Sequence, residues 1–107
     1  PPILYGHPGA RGLARGPARV LRSLAEVTRL QPGDILVTET TAPPWTPLFA
    51  IVAAIVTDTG GVLSHAAILA REFGIPAVVG TGQATKLIRD GQMLEVDGSA
   101  GLVRIIQ

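Results

Sequence analysis

Residues 54–80 constrain the fold more tightly than any other stretch. Ala54-Ile55-Val56-Thr57 is a continuous apolar run, the pattern of a strand buried on both faces. Gly60-Gly61 follows, and Ser64 then opens a helix running to about Phe73. Its residues Ala66, Leu69, Ala70 and Phe73 fall at the i, i+3, i+4, i+7 spacing of a core-facing stripe. Gly74 is a helix stop, Pro76 follows two residues later, and Ala77-Val78-Val79 is another buried strand.

The flanking segments extend the alternation of strands and helices. Gly6, Gly9, Gly12 and Gly16, with Pro8 and Pro17, read as a glycine-punctuated approach to a short strand at Ala18-Arg19-Val20-Leu21. Ser23 caps a helix over Leu24 to Leu30, and Pro32-Gly33-Asp34 turns into a strand at Ile35-Leu36-Val37-Thr38. Ala42 to Pro47 reads as an ordered loop, with Thr46-Pro47 fitting a helix start. Two turns, Asp90-Gly91 and Asp97-Gly98, punctuate strands at Met93 to Val96 and Leu102 to Ile106. The pattern predicts an α/β fold with a mixed sheet.

Composition narrows the chemistry. The chain has 107 residues, a single domain's worth, with 47% hydrophobic and 16% charged residues, which excludes a disordered polyelectrolyte. There is no cysteine, so disulfides, thiolate zinc sites and cysteine nucleophiles are excluded. A net charge of +1 implies neither a nucleic-acid nor an acidic-membrane partner. Arg11, Arg15, Arg19, Arg22 and Arg29 face only Glu26 in the first thirty residues; they read as a solvated face, the alternative being a basic phosphate-binding edge. The longest apolar run, Leu48 to Val56, is far short of the ~20 residues that span a bilayer, and the expected location is cytoplasmic.

The reactive candidate is His65, presented in the first helical turn after the Gly-Gly loop at the end of a buried strand. Such strand ends are where open α/β folds bind ligands, and helix amino termini attract anions. A neutral imidazole has a free ring nitrogen for attack on a phosphoryl group. The same placement also describes an ordinary capping or packing histidine. A Ser64 nucleophile with His65 as its base is excluded, because adjacent helical residues point about 100° apart. Arg71, six residues on, is a candidate phosphate contact that helical spacing does not bring directly to His65.

The run Gly60-Gly61-Val62-Leu63-Ser64-His65-Ala66-Ala67-Ile68-Leu69-Ala70-Arg71-Glu72-Phe73-Gly74-Ile75-Pro76-Ala77-Val78-Val79-Gly80 resembles the phosphohistidine swivelling, or mobile, domain of phosphoenolpyruvate-utilising enzymes. These include pyruvate phosphate dikinase, phosphoenolpyruvate synthase, Enzyme I and rifampicin phosphotransferase. The glycine-rich approach, the strand after Pro32-Gly33-Asp34 and the closing Asp90-Gly91 to Gly101 segment fit as well, so the likeness covers nearly the whole chain. It implies a three-layer β/β/α domain spanning 1–107, one part of a larger multidomain phosphotransferase. His65 would be the transient phosphoryl acceptor, with Gly60, Gly61, Ser64 and Arg71 supporting the phosphate. The resemblance implies no metal on this chain. Magnesium and ATP or phosphoenolpyruvate would sit on an ATP-grasp-like nucleotide-binding domain and a substrate-binding domain. A non-catalytic interaction module with the same fold is the alternative. Leu63 departs from the Ser or Thr commonly found two residues before the histidine. Pro43 to Phe49 resembles the rifampicin phosphotransferase and phosphoenolpyruvate synthase branches more than Enzyme I. Trp45 is expected to pack within its loop, and His7 to be an ordinary turn residue.

Overall fold

The computed structural model describes residues 3–106. Three parallel strands form the centre: β4 (Ile35–Thr38), β5 (Ala54–Thr57) and β6 (Ala77–Val79). Every residue of these strands is buried, as their unbroken apolar runs require. Side chains alternate between two cores. Ile35, Val37, Ala54, Val56 and Val78 face one way, while Leu36, Ile55, Ala77 and Val79 face the other.

On the first side lies an antiparallel sheet of β1 (Ile3–Tyr5), β8 (Leu102–Ile105), β7 (Met93–Asp97) and the first part of β3 (Leu13–Val20). Leu94, Val96, Val103 and Ile105 from that sheet close the core, and Ala84 of α2 (Ala84–Leu87) joins them at its end. The long strand β3 belongs to both sheets: Leu13 to Pro17 pair with β7, and Ala18 to Val20 run parallel to β4. On the second side lie α1 (His65–Phe73) and two 3₁₀ helices, Leu24–Arg29 and Pro43–Ala50. Ala66, Ala67 and Ala70 of α1 and Trp45, Leu48 and Phe49 fill that core. The result is the β/β/α layering implied by the resemblance.

Several local expectations change. β2 (His7–Ala10) occupies the glycine-rich approach, where turns were expected, and β1 precedes it where no element was expected. β2 pairs antiparallel with β6, His7 opposite Val79, so His7 is a strand residue and not a turn residue. The reason is close packing: a Cβ on Gly6 would lie 2.5 Å from the Val79 carbonyl, and one on Gly9 would press on Val79 and Ala67. β3 starts five residues before Ala18. The segment after Ser23 is a 3₁₀ helix without a side-chain cap from Ser23; the Glu26 carboxylate instead accepts the Arg22 N–H at 2.6 Å. The second 3₁₀ helix begins at Pro43 rather than at Thr46, with proline in its first turn.

Candidate functional site

The carboxyl ends of β4, β5 and β6 lie along one edge, and the loops leaving them build the site. After β5, the Asp58 N–H donates to the Thr38 carbonyl at 3.1 Å and the Thr59 N–H to the Glu39 carbonyl at 3.0 Å. The Thr59 hydroxyl donates to the same Glu39 carbonyl. The loop from β5 is thereby laid along the loop from β4.

Gly60 then turns the chain with φ near +102°, and a Cβ there would lie 2.9 Å from Ser64 Cβ. Only glycine satisfies both conditions. Gly61 differs from it: a Cβ there would meet nothing within 4 Å, so the space above Gly61 is open. Ser64 occupies the amino-terminal cap of α1, its Oγ 3.4 Å from the Ala67 N–H, and Gly74 closes the helix in the left-handed region. The first N–H groups of α1 have no intrahelical acceptor and carry the positive end of the helix dipole.

His65, half-buried, is the first residue of that helix. Its Nδ1 lies 2.8 Å from the hydroxyl of Thr41, which is buried at the end of the β4 loop. The buried Phe49 ring packs edge-on to the imidazole, with centroids 5.9 Å apart and planes at 83°. Thr41 and Phe49 thus fix the ring at one nitrogen and across its plane, which leaves Nε2 as the nitrogen not engaged by Thr41. Neither residue was found from sequence. Thr41 lies 24 positions from His65, and its one signal was its place after a strand parallel to β5.

Arg71 has a different post from the one its type suggested. Six residues on a helix place it about 120° around the axis from His65. Its guanidinium donates to the Gly9 carbonyl at 2.6 Å and to the Val62 carbonyl at 2.8 Å. It therefore braces the Val62-Leu63 turn against β2. The second histidine, His7, lies with its ring over Gly80, whose Cβ would meet both that ring and the Gly60 carbonyl. Leu63 stands out into solvent with 81% exposure. Trp45 is buried in the helical core, as expected of a packed aromatic.

The arginines of the first thirty residues do not form one basic edge. Arg15 pairs with Glu95, Arg19 with Asp34 and Asp90, and Arg29 with Glu26 and Asp90. Two of the four partners, Asp90 and Glu95, come from the far end of the chain, out of reach of a local charge count. Among the described residues no three His, Cys, Asp or Glu side chains come together as metal ligands, and no helix is long and apolar enough to cross a membrane.

The family model for the PEP-utilising enzyme mobile domain matches residues 30–101. The chain belongs to that family. The mobile domain is 62% identical over 103 residues to part of chondramide synthase cmdD of Chondromyces crocatus, covering 96% of this chain and 3% of the synthase. It is 50% identical to part of a rifampicin phosphotransferase of Streptomyces sviceus, covering 96% of this chain and 12% of that protein. A phosphoenolpyruvate synthase of Aeropyrum pernix is 49% identical, over 94% of this chain and 12% of the synthase. The mobile domain therefore spans 3–12% of the length of these relatives, which are larger multidomain enzymes. A solution structure of Enzyme I superposes with a TM-score of 0.64 at 35% identity, over 72% of this chain and 32% of that one. The mobile domain thus occurs as one part of a rifampicin phosphotransferase and of a phosphoenolpyruvate synthase.

Proposed function

We propose that this chain is a phosphoryl carrier in which Nε2 of His65 accepts a phosphoryl group at one active site and delivers it at another. The observation that carries the reading is the 2.8 Å contact between His65 Nδ1 and Thr41 Oγ1 at the start of α1. For Nε2 to hold a lone pair in the neutral ring, the proton must sit on Nδ1, and the Thr41 hydroxyl then accepts it. In the transfer, the Nε2 lone pair forms the N–P bond while the donor's P–O bond breaks, the oxygen leaving with the electron pair. The imidazole becomes a phosphorylated imidazolium whose Nδ1–H still rests on Thr41.

The phosphoryl oxygens would then lie at the helix start, where the dipole contributes roughly 0.3–1 kcal/mol, up to about 2 when partly buried. Gly60 supports the phosphate by holding the turn that presents His65, Gly61 by leaving open space, and Ser64 by capping the helix. Arg71 acts through the brace on Val62. The donor, ATP or phosphoenolpyruvate, and its magnesium are held by other domains, an ATP-grasp-like nucleotide-binding domain and a substrate-binding domain of the same polypeptide, in the cytoplasm. Positioning and electrostatics dominate phosphoryl transfer, which suits a carrier that brings one oriented nucleophile.

The test uses the full-length protein with ³²P-labelled ATP or phosphoenolpyruvate. Acid-labile label on the wild type, absent from His65→Ala, is the expected result. Label that persists undiminished in His65→Ala refutes the assignment.

A further inference from the structure

We infer that Leu63, flanked by Val62 and Ile68, is the contact by which this chain seats on the phosphoryl-donor domain of its own polypeptide. The inference rests on the carrier reading and concerns the surface around the nucleophile. Leu63 is 81% exposed, Val62 47% and Ile68 38%, although the neighbouring Ala66 and Ala67 are buried. Ile68 lies three residues after His65, on the same helix face, and Leu63 two before it. These exposed apolar side chains stand close to His65 in the chain, on either side of it.

The loop that carries Leu63 is held firmly. Arg71 grips the Val62 carbonyl, the Ser64 N–H donates to the Gly61 carbonyl at 3.0 Å, and Thr59 is tied to Glu39. An exposed leucine on a braced turn is presented to a partner at little further ordering cost. The surrounding sequence has the same character: from Thr59 to Ala70 there is no Lys, Arg, Asp or Glu. The surface that meets Leu63, Val62 and Ile68 is therefore apolar, one that excludes water while the N–P bond forms.

The size of the patch selects the occupant. Three side chains fall well short of the ~800 Å² per partner that a stable complex between free proteins buries, so a second copy of the chain is not the match. In the relatives the corresponding segment is 3–12% of a longer polypeptide. A tethered partner is present at roughly millimolar effective concentration, where a small contact suffices and still releases.

The experiment compares wild type and Leu63→Asp in the full-length protein with two donors. Phosphoramidate, a small donor that needs no docking domain, is expected to label His65 equally in both. From ³²P-labelled ATP or phosphoenolpyruvate, labelling of Leu63→Asp is expected to slow by about tenfold or more, the scale of a lost buried leucine, with Leu63→Met restoring it. Equal rates from the protein's own donor overturn the proposal. So does equal slowing with phosphoramidate, which places Leu63 at the nucleophile rather than at the interface. A wild type in which neither donor labels His65 fails the carrier reading itself and is thereby distinguished.

Discussion

Replacing Thr41 with Val keeps the shape of the side chain and removes the one oxygen that His65 Nδ1 contacts. Thr41 is 6% exposed, so water does not readily take the place of the hydroxyl. A neutral hydrogen bond contributes about 0.5–1.5 kcal/mol net. As the ring is phosphorylated it becomes cationic, and hydrogen bonds from a charged donor are roughly twice as strong. The loss therefore falls mainly on the transition state, at about 1–3 kcal/mol, which corresponds to roughly a 5- to 150-fold slower transfer. Stability should move by no more than about 1 kcal/mol, roughly 4–8 °C in Tm for a domain of this size. The assay is the initial rate of His65 labelling from phosphoramidate, read beside the ¹⁵N shifts of the imidazole nitrogens. Thr41→Ser should recover most of the rate. An unchanged rate in Thr41→Val, together with an unchanged Nδ1–H tautomer, refutes the claim that Thr41 orients the nucleophile.

Three further expectations follow from the same geometry. Gly60→Ala places a Cβ against Ser64 at a residue with φ near +102°, so it should cost about 1–3 kcal/mol, whereas Gly61→Ala should leave Tm unchanged and slow labelling only; thermal melts beside labelling rates check the contrast. Arg71→Lys should not substitute for arginine, because two carbonyls on different segments need the guanidinium fork; hydrogen exchange should speed in the Val62-Leu63 turn while α1 stays protected. The Glu26 carboxyl is held below its usual range, first by the Arg22 N–H it accepts and then by Arg29. Its stabilising contribution is present above the unfolded carboxylate range and is lost as pH falls through the lowered value. Glu26→Gln should flatten that acid-side dependence in denaturation curves measured against pH.

How much was legible in the chain depends on how local the signal is. β4, β5 and β6 were readable because strands buried on both faces need apolar residues at every position. α1 was bounded by Ser64 and Gly74, whose capping is decided within one turn. The Gly60 turn before it was readable for the same reason. β2 was hidden because Gly6, Pro8 and Gly9 carry turn chemistry, while these glycines answer instead to β6 about seventy residues away; β1 was hidden because its partner β8 lies at the other end of the chain. Thr41 and Phe49 reach His65 only after β4 and the Pro43–Ala50 helix are placed, and no spacing rule links them. Arg71 was readable as a residue near the site but not as a brace, because its acceptors are carbonyls on β2 and the Val62 turn. The pairing of Arg15 with Glu95 likewise depends on β3 lying beside β7, and that of Arg19 with Asp34 on β3 lying beside β4.

The most direct test of the central claim is the position of the phosphoryl group. Two-bond ¹H–¹⁵N correlation on the phosphoramidate-treated protein, with His7→Gln removing the other imidazole, distinguishes the two ring nitrogens of His65. An acid-labile phosphoryl group on Nε2 with the proton retained on Nδ1 is the expected result. A phosphoryl group on Nδ1, or an acid-stable phosphate on Ser64 or Thr41, would contradict it.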